Sequence, residues 1–320
     1  MGVLMRIMIM GAGGVGGYFG AKLANSGCDV GFVARGAHLA AMRQNGLRVE
    51  SQLGDVHLPE VRASDDPAAF GAPDYVFLCV KLWDSERAVS ALQKVKAPHT
   101  AVLSFQNGVQ RDDLLRKSLG EKAVMGGVAY IGAGIARPGV IRHTGTIQRL
   151  VFGEFDGCRS ERAAALLEAC TRAGIDAEIN ADVRRAIWEK FVFIVGLSAL
   201  TSATRKTIGP VRANARTRAL FLEIIQETVA VGRAHGVNLP EDYAEKRLAF
   251  VDSLPAEMTS SMHNDLEAGK RLELDWLSGG VVELAKAVNL PAPMNRAVSA
   301  ILALYADGSE TSPPRAAARP

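Results

Sequence analysis

Two groups of residues in this 320-residue sequence have types and spacings that could do chemistry. The first is Gly11-Ala12-Gly13-Gly14-Val15-Gly16, which sits between an apolar run and an amphipathic one. Gly11, Gly13 and Gly16 fit a tight strand-to-helix turn that brings backbone N–H groups and a helix N-terminus up to a pyrophosphate. The next apolar run ends Phe32-Val33-Ala34-Arg35, with no Asp or Glu at its tip to bind a ribose 2′-hydroxyl. Arg35, supported by His38 or Arg43, would instead pair with a 2′-phosphate, so NADPH is the expected cofactor. The alternative is that Arg35 only starts a solvated helix. The second group centres on Lys190, which lies in an apolar helical row with Ile187 and Ile194. A lysine on a burying face needs a functional or charge-paired reason, because desolvation favours its neutral form. A pKa lowered toward working pH would suit a general acid that protonates a forming alkoxide. The alternative is a lysine that snorkels to solvent beside Glu189.

The elements that must position these groups change character along the chain. Met5–Met10, Asp29–Ala34, Tyr75–Val80 and Ala101–Phe105 are short, apolar and followed by turn residues, which predicts strands. Val15–Ser26, Asp84–Lys94 and Asp112–Leu119 carry helical spacing between them, and Ala123–Phe152 is predicted to add later strands with a hairpin. Strand–helix alternation implies right-handed crossovers and a doubly wound parallel sheet of the α/β Rossmann type. From Asp182 the spacing becomes helical throughout, in Val183–Thr201, Ala213–His235 and Ala268–Val288, which predicts an all-helical second domain. The expected organisation is a nucleotide-binding domain over 1–181, a helical substrate and catalytic domain over 182–307 and a disordered tail over 308–320.

Composition narrows the function classes. A hydrophobic share of 48% excludes intrinsic disorder, and a net charge of +3 with scattered Lys and Arg offers no basic stripe for nucleic acid. The six histidines form no metal-binding motif, and no G-x-S-x-G nucleophile elbow is present. Four irregularly spaced cysteines favour reduced thiols and a cytoplasmic setting. The longest strongly apolar run, Phe191–Leu200, is about half the ~20 residues that span a bilayer, so a buried helix is expected and no membrane.

At Leu78-Cys79-Val80-Lys81 and Ser104-Phe105-Gln106-Asn107-Gly108-Val109 the sequence resembles the ketopantoate reductase (2-dehydropantoate 2-reductase) family. The likeness continues through Ile187-Trp188-Glu189-Lys190 and Ser260-Ser261-Met262 to Glu273-Leu274-Asp275, in order and over nearly the whole chain. The resemblance implies reduction of 2-dehydropantoate to pantoate by NADPH, in pantothenate and coenzyme A biosynthesis, in the cleft between a Rossmann-type and a helical domain. It makes Lys190 the proton donor and places Glu273 near that lysine, the cofactor and the substrate hydroxyl. Asn107 would touch both cofactor and substrate, Lys81 would lie close to the cofactor, and Ser261 would hydrogen-bond the substrate. Each has a plainer reading: an i, i+3 pair of Glu273 with Lys270, an Asn-Gly turn, a surface lysine and a helix N-cap.

Two positions depart from the family pattern. Ile194 and Ser198 stand where better-known members carry asparagines that hold the substrate. Replacing an amide by a branched alkyl group weakens recognition of a polar hydroxyl or carboxylate unless another group supplies the bond. Three readings follow: a ketopantoate reductase, a reductase of a more apolar branched or aromatic 2-oxo acid, and a non-catalytic NADPH sensor. The partner in the first two is a small 2-oxo acid; a homodimer is left open.

Overall fold

The computed structural model describes residues 4–308, so the expected tail beyond Gly308 lies outside the described residues. The chain forms two compact units. One runs to Gln106 and resumes from Arg111 to Ile187; the other takes Asn107–Gln110 and the chain from Trp188 on.

In the first unit, strands and helices alternate in the order β1 (Arg6–Met10), α1 (Gly14–Asn25), β2 (Asp29–Val33), α2 (Gly36–Asn45), β3 (Leu47–Glu50), β4 (Val56–Leu58) and β5 (Arg62–Ser64). There follow β6 (Tyr75–Leu78), α3 (Ser85–Gln93), β7 (Ala101–Ser104), α4 (Gln110–Leu119), β8 (Val124–Arg137), β9 (Val140–Gly153), α5 (Glu161–Arg172) and β10 (Asp176–Ile179). The sheet order is β4-β3-β9-β8-β7-β6-β1-β2-β5, with β10 beside β9. From β5 through β2, β1, β6 and β7 to β8 every pairing is parallel, which is the doubly wound order. The period of two explains why these strands are apolar throughout. Ile7, Ile9, Tyr75, Phe77 and Leu103 face one core with α1 and α5 residues, whereas Met8, Met10, Val76, Leu78 and Val102 face another with Val89, Leu92 and Leu115.

The expected hairpin is β8–β9, antiparallel and turning at Pro138-Gly139, where Gly139 has φ +76°. Irregular register at Ile131/Gly132 and Ile135/Arg137 bends it. The sheet therefore curls: α1 packs against β1 and β2 and also against β3, β4, β8 and β9. Strands β3, β4, β5 and β10 are outside the predicted set, because three- and four-residue strands carry too few alternations to stand out; helix α5 is outside it too, whereas α2 is the helix that Arg35 starts in the alternative reading.

The second unit is helical. Its helices are α6 (Val183–Thr204), whose first turns belong to the first unit, α7 (Ile208–Ala213), α8 (Ala215–Ala234), α9 (Tyr243–Asp252), α10 (Ser261–Glu267), α11 (Ser278–Ala287) and α12 (Pro293–Leu302). Helix α6 extends well beyond Phe191–Leu200 and is, by length and composition, apolar enough to cross a membrane; 72% of its most apolar window is buried inside the protein, as in a core helix. It packs closely on α8 through glycine. A Cβ on Gly196 would come within 2.6 Å of Ile225, and one on Gly232 within 2.7 Å of the Trp188 ring.

One predicted helix is corrected and another trimmed at its ends. Ala213–His235 forms as α8, which starts at Ala215 because the Asn214 side chain accepts from the N–H groups of Arg216 and Thr217 and so caps α8 separately from α7. Ala268–Val288 is no single helix: Gly269, at φ +62°, follows the end of α10, a 3₁₀ turn covers Leu274–Trp276, and α11 starts only at Ser278. Lys270 and Glu273 therefore share no helix face.

Candidate active site

The glycine turn links β1 to α1 with a different reason for each glycine. Gly11 has φ +105°, the left-handed region, and a Cβ there would lie 2.7 Å from the Val80 backbone nitrogen. A Cβ on Gly16 would sit 2.2 Å from the Gly11 carbonyl oxygen, and one on Gly14 2.1 Å from the Ala133 carbonyl oxygen. Gly13, the N-cap of α1, is different: a Cβ there would meet nothing within 4 Å. The N–H groups of Gly11 and Ala12 both donate to the Val33 carbonyl, at 3.1 and 3.0 Å, which ties the turn to the end of β2. The first N–H groups of α1, including those of Gly14, Val15 and Gly16, have no partner within the helix, and no side chain caps it. The turn is thus an open backbone cradle with positive polarity, and it fits an anionic diphosphate.

Arg35, at the tip of β2, precedes α2 and is exposed, with Nη1 3.2 Å from Asp84 Oδ1. His38 does not support it as expected. Its two ring nitrogens are committed to backbone, Nε2 at 2.9 Å from the Ala12 carbonyl oxygen and Nδ1 at 3.0 Å from the Gly139 nitrogen. Arg43 is also engaged, with Nε donating to the Ala63 carbonyl oxygen and Nη2 3.6 Å from Asp65.

Lys81 follows β6, with Nζ 5.7 Å from the Trp83 ring centroid. Its turn is held by a residue whose role spacing does not reveal. Gln106 is buried, donates from Nε2 to the Val80 carbonyl at 2.9 Å and the Ser85 hydroxyl at 2.8 Å, and accepts from the Ser104 hydroxyl at 3.0 Å. The ends of two neighbouring strands meet at one amide, a convergence that only the parallel pairing creates.

The other predicted residues fall in the helical unit. Asn107, half-buried, begins the Asn107–Gln110 segment, in which Gly108 takes φ +84°. The Gln110 side chain lies against Gly280 of α11, where a Cβ would come within 2.4 Å of Nε2. Lys190, Ile194 and Ser198 stand at four-residue intervals on α6, the first two half-buried and Ser198 buried, so they form one row. Trp188 is fixed beside this row by an edge-on contact with Phe191 and by stacking on His235. Glu273 is 5% exposed and caps the 3₁₀ turn at Leu274, so burial comes from a loop and not from a helix face.

Ser261 is exposed at the first position of α10, and the N-cap is its neighbour Ser260. Ser260 Oγ accepts from the His263 N–H at 3.0 Å and lies 3.1 Å from Thr201 Oγ1. The Thr201 hydroxyl donates to the Leu197 carbonyl, so Ser260 is the donor to Thr201, and His263 Nδ1 donates to the Thr201 carbonyl at 2.7 Å. The end of the Lys190–Ser198 row is thereby tied to the start of α10. Ser260→Ala is expected to cost about 1–2 kcal/mol from the lost cap and the stranded hydroxyl, read as a lower urea midpoint with unchanged slope.

Sheet order and glycine turn together define the class: a Rossmann-type nucleotide-binding fold joined to a helical unit. The family model described as ketopantoate reductase PanE/ApbA matches residues 7–157, and its C-terminal counterpart matches residues 182–306. A 2-dehydropantoate 2-reductase of Mesorhizobium japonicum is 34% identical over 321 residues, covering 94% of this chain and 96% of that protein. An uncharacterized oxidoreductase of Bacillus subtilis is 30% identical, with 94% and 99% covered. The crystal structure of a PanE/ApbA family ketopantoate reductase from Ralstonia eutropha has 36% identity and a TM-score of 0.86, with 94% and 98% covered. The chain belongs to the ketopantoate reductase family, a family of oxidoreductases.

Proposed function

We propose that the protein reduces a 2-oxo acid with NADPH and that 2-dehydropantoate, reduced to pantoate for pantothenate and coenzyme A synthesis, is its leading substrate. The observation that carries this reading is the match of both family models, in order, across the two units. Residues 1–181 would hold the nucleotide and 182–307 the oxo acid. When bound, the dihydronicotinamide supplies the hydride to the keto carbon. Gly11–Gly16 would accept the diphosphate, Arg35 the 2′-phosphate, and Lys81, Asn107 and Glu273 would flank the nicotinamide end. Lys190 Nζ would hand a proton to the oxygen that becomes alkoxide, Glu273 would favour and orient the ammonium form, and Ser261 and Asn107 would hold the substrate. Cytoplasmic residence belongs to the same proposal, supported by the four free thiols.

A second reading rests on Ile194 and Ser198. Ile194 is half-buried one turn after Lys190, so the wall there is alkyl, and an apolar 2-oxo acid would lose less than ketopantoate. Initial rates of NADPH oxidation with ketopantoate, 2-oxoisovalerate and phenylglyoxylate separate the two. The first reading fails if kcat/KM for ketopantoate is far below the others, and both fail if NADPH binds but no 2-oxo acid oxidises it.

Cofactor choice is tested at Arg35. Arg35→Ala is expected to raise the Kd for NADPH about ten- to hundredfold, the scale of a lost charge-assisted contact, while the Kd for NADH stays unchanged. Equal weakening for both dinucleotides would remove the 2′-phosphate assignment.

A further inference from the structure

We propose that His38 is a positioning residue that clips the glycine turn to the β8–β9 hairpin and aims the Gly13 N–H at the dinucleotide diphosphate. The inference rests on the reading of Gly11–Gly16 as the diphosphate cradle and adds a residue that never touches the ligand.

The tautomer follows from the partners. The Gly139 nitrogen can only donate, so His38 Nδ1 is the bare acceptor; the Ala12 carbonyl can only accept, so Nε2 carries the hydrogen. The ring is therefore a neutral bridge between positions 26 residues apart on one side and 101 on the other. Ala12 is held at both ends, its N–H by Val33 and its C=O by His38. The described residues contain no cis peptide, and in a trans peptide the C=O and the following N–H point in opposite directions. Fixing the Ala12 carbonyl on His38 thus turns the Gly13 N–H away from the ring, at the one glycine of the turn beside which a Cβ would find open space. The other end of the clip is equally set: Gly139 is buried at φ +76°, and a Cβ on it would lie 3.2 Å from that of Ala41 in α2.

A protonated ring cannot make this bridge, since Nδ1–H would then face the Gly139 N–H. Burial lowers the His38 pKa below the ordinary imidazole value, which outweighs the opposite effect of the Ala12 carbonyl. The charges on the surrounding elements are engaged elsewhere or face solvent. Arg35 pairs with Asp84, Arg43 with Asp65, and Arg137 and Arg142 with Glu50, while Arg48 and His57 are exposed. The sign follows: the clip is intact above the ordinary histidine range and is lost as pH falls through the lowered pKa.

The test is dinucleotide binding by the full chain of wild type, His38→Phe and His38→Gln, with NADPH and NADH as probes. His38→Phe is expected to raise both dissociation constants about tenfold at pH 7.5, because the diphosphate is common to both, while kcat at saturating NADPH stays within about twofold. His38→Gln, which keeps a donor for the Ala12 carbonyl, should recover most of the affinity. Wild type should also lose NADH affinity on acidification, and His38→Gln should lack that component; NADH has no 2′-phosphate of its own to titrate there. Should His38→Phe fail to fold, the pH profiles of wild type and His38→Gln decide. Matching profiles, or a His38→Phe constant equal to wild type, overturn the clip alone. Wild type that binds neither dinucleotide overturns the reading of the turn itself.

Discussion

Lys190→Ala should lower kcat by about two to four orders of magnitude while leaving the Kd for NADPH within about twofold of wild type. The size is that of a positioned general acid, and the split between the two constants is what separates chemistry from scaffolding. Lys190 stands on α6, half-buried, in a row that continues through Ile194 and Ser198 and whose far end is anchored by Thr201 and Ser260. In the proposed role its ammonium would interact most strongly with the substrate oxygen as that oxygen gains negative charge, so its removal would be felt in the transition state more than in binding. Lys190→Arg is expected to be nearly as slow, because a guanidinium keeps its proton at any working pH. A lysine that merely snorkelled beside Glu189 would give an alanine variant with ordinary turnover. Single-turnover NADPH oxidation with the preferred 2-oxo acid, beside equilibrium NADPH titration, distinguishes these outcomes.

The second large effect is expected at the glycine turn, where two alanine substitutions should fail for opposite reasons. In Gly16→Ala the new methyl would stand 2.2 Å from the Gly11 carbonyl oxygen and 2.7 Å from Ile9 Cγ2, against backbone that cannot swing aside. The start of α1 must move off β1, at a cost of about 3 kcal/mol, or roughly 6–12 °C in Tm. Dinucleotide affinity should fall with it. In Gly13→Ala the methyl finds nothing within 4 Å, and Gly13 has an extended φ of −75° that alanine adopts readily. That variant should lose about 1 kcal/mol or less, the difference between glycine and alanine at an N-cap. Its NADPH affinity should nevertheless drop more than tenfold, because the open space beside Gly13 is where the cradle would receive the diphosphate. Thermal unfolding and NADPH titration of both variants provide the check. A Gly13→Ala protein that binds normally would relocate the cradle.

Much of the first unit was legible because its signals are local. The alternation of Ile7 and Ile9 with Met8 and Met10 marks a strand buried on both faces, and a glycine turn placed directly after it has few other uses. Lys190 was legible for a similar reason, as a charge inside an apolar helical row. Glu273 was singled out by resemblance, but the helix expected around it does not form. The spacing around it suits a helix, yet Gly269 stops α10 and a 3₁₀ turn intervenes before α11. Ser260 and Ser261 show the same limit: adjacent serines are equal candidates for a cap until the chain direction decides which hydroxyl reaches the His263 N–H.

By itself, then, the sequence determined the element types of the parallel core, the glycine turn, the missing acid at the tip of β2 and the apolar setting of Lys190. Each depends on residues within a few positions of one another, where sterics and periodicity act directly. Only the tertiary structure decided that Gln106 braces the Lys81 turn, that His38 serves the glycine turn and not Arg35, and that Ser260 ties α10 to α6. Those bonds join residues far apart in the chain. Gln106 and His38 reach backbone carbonyls, which every residue carries, and Ser260 reaches one hydroxyl among many, so no local side-chain pattern announces these bonds before the chain has folded.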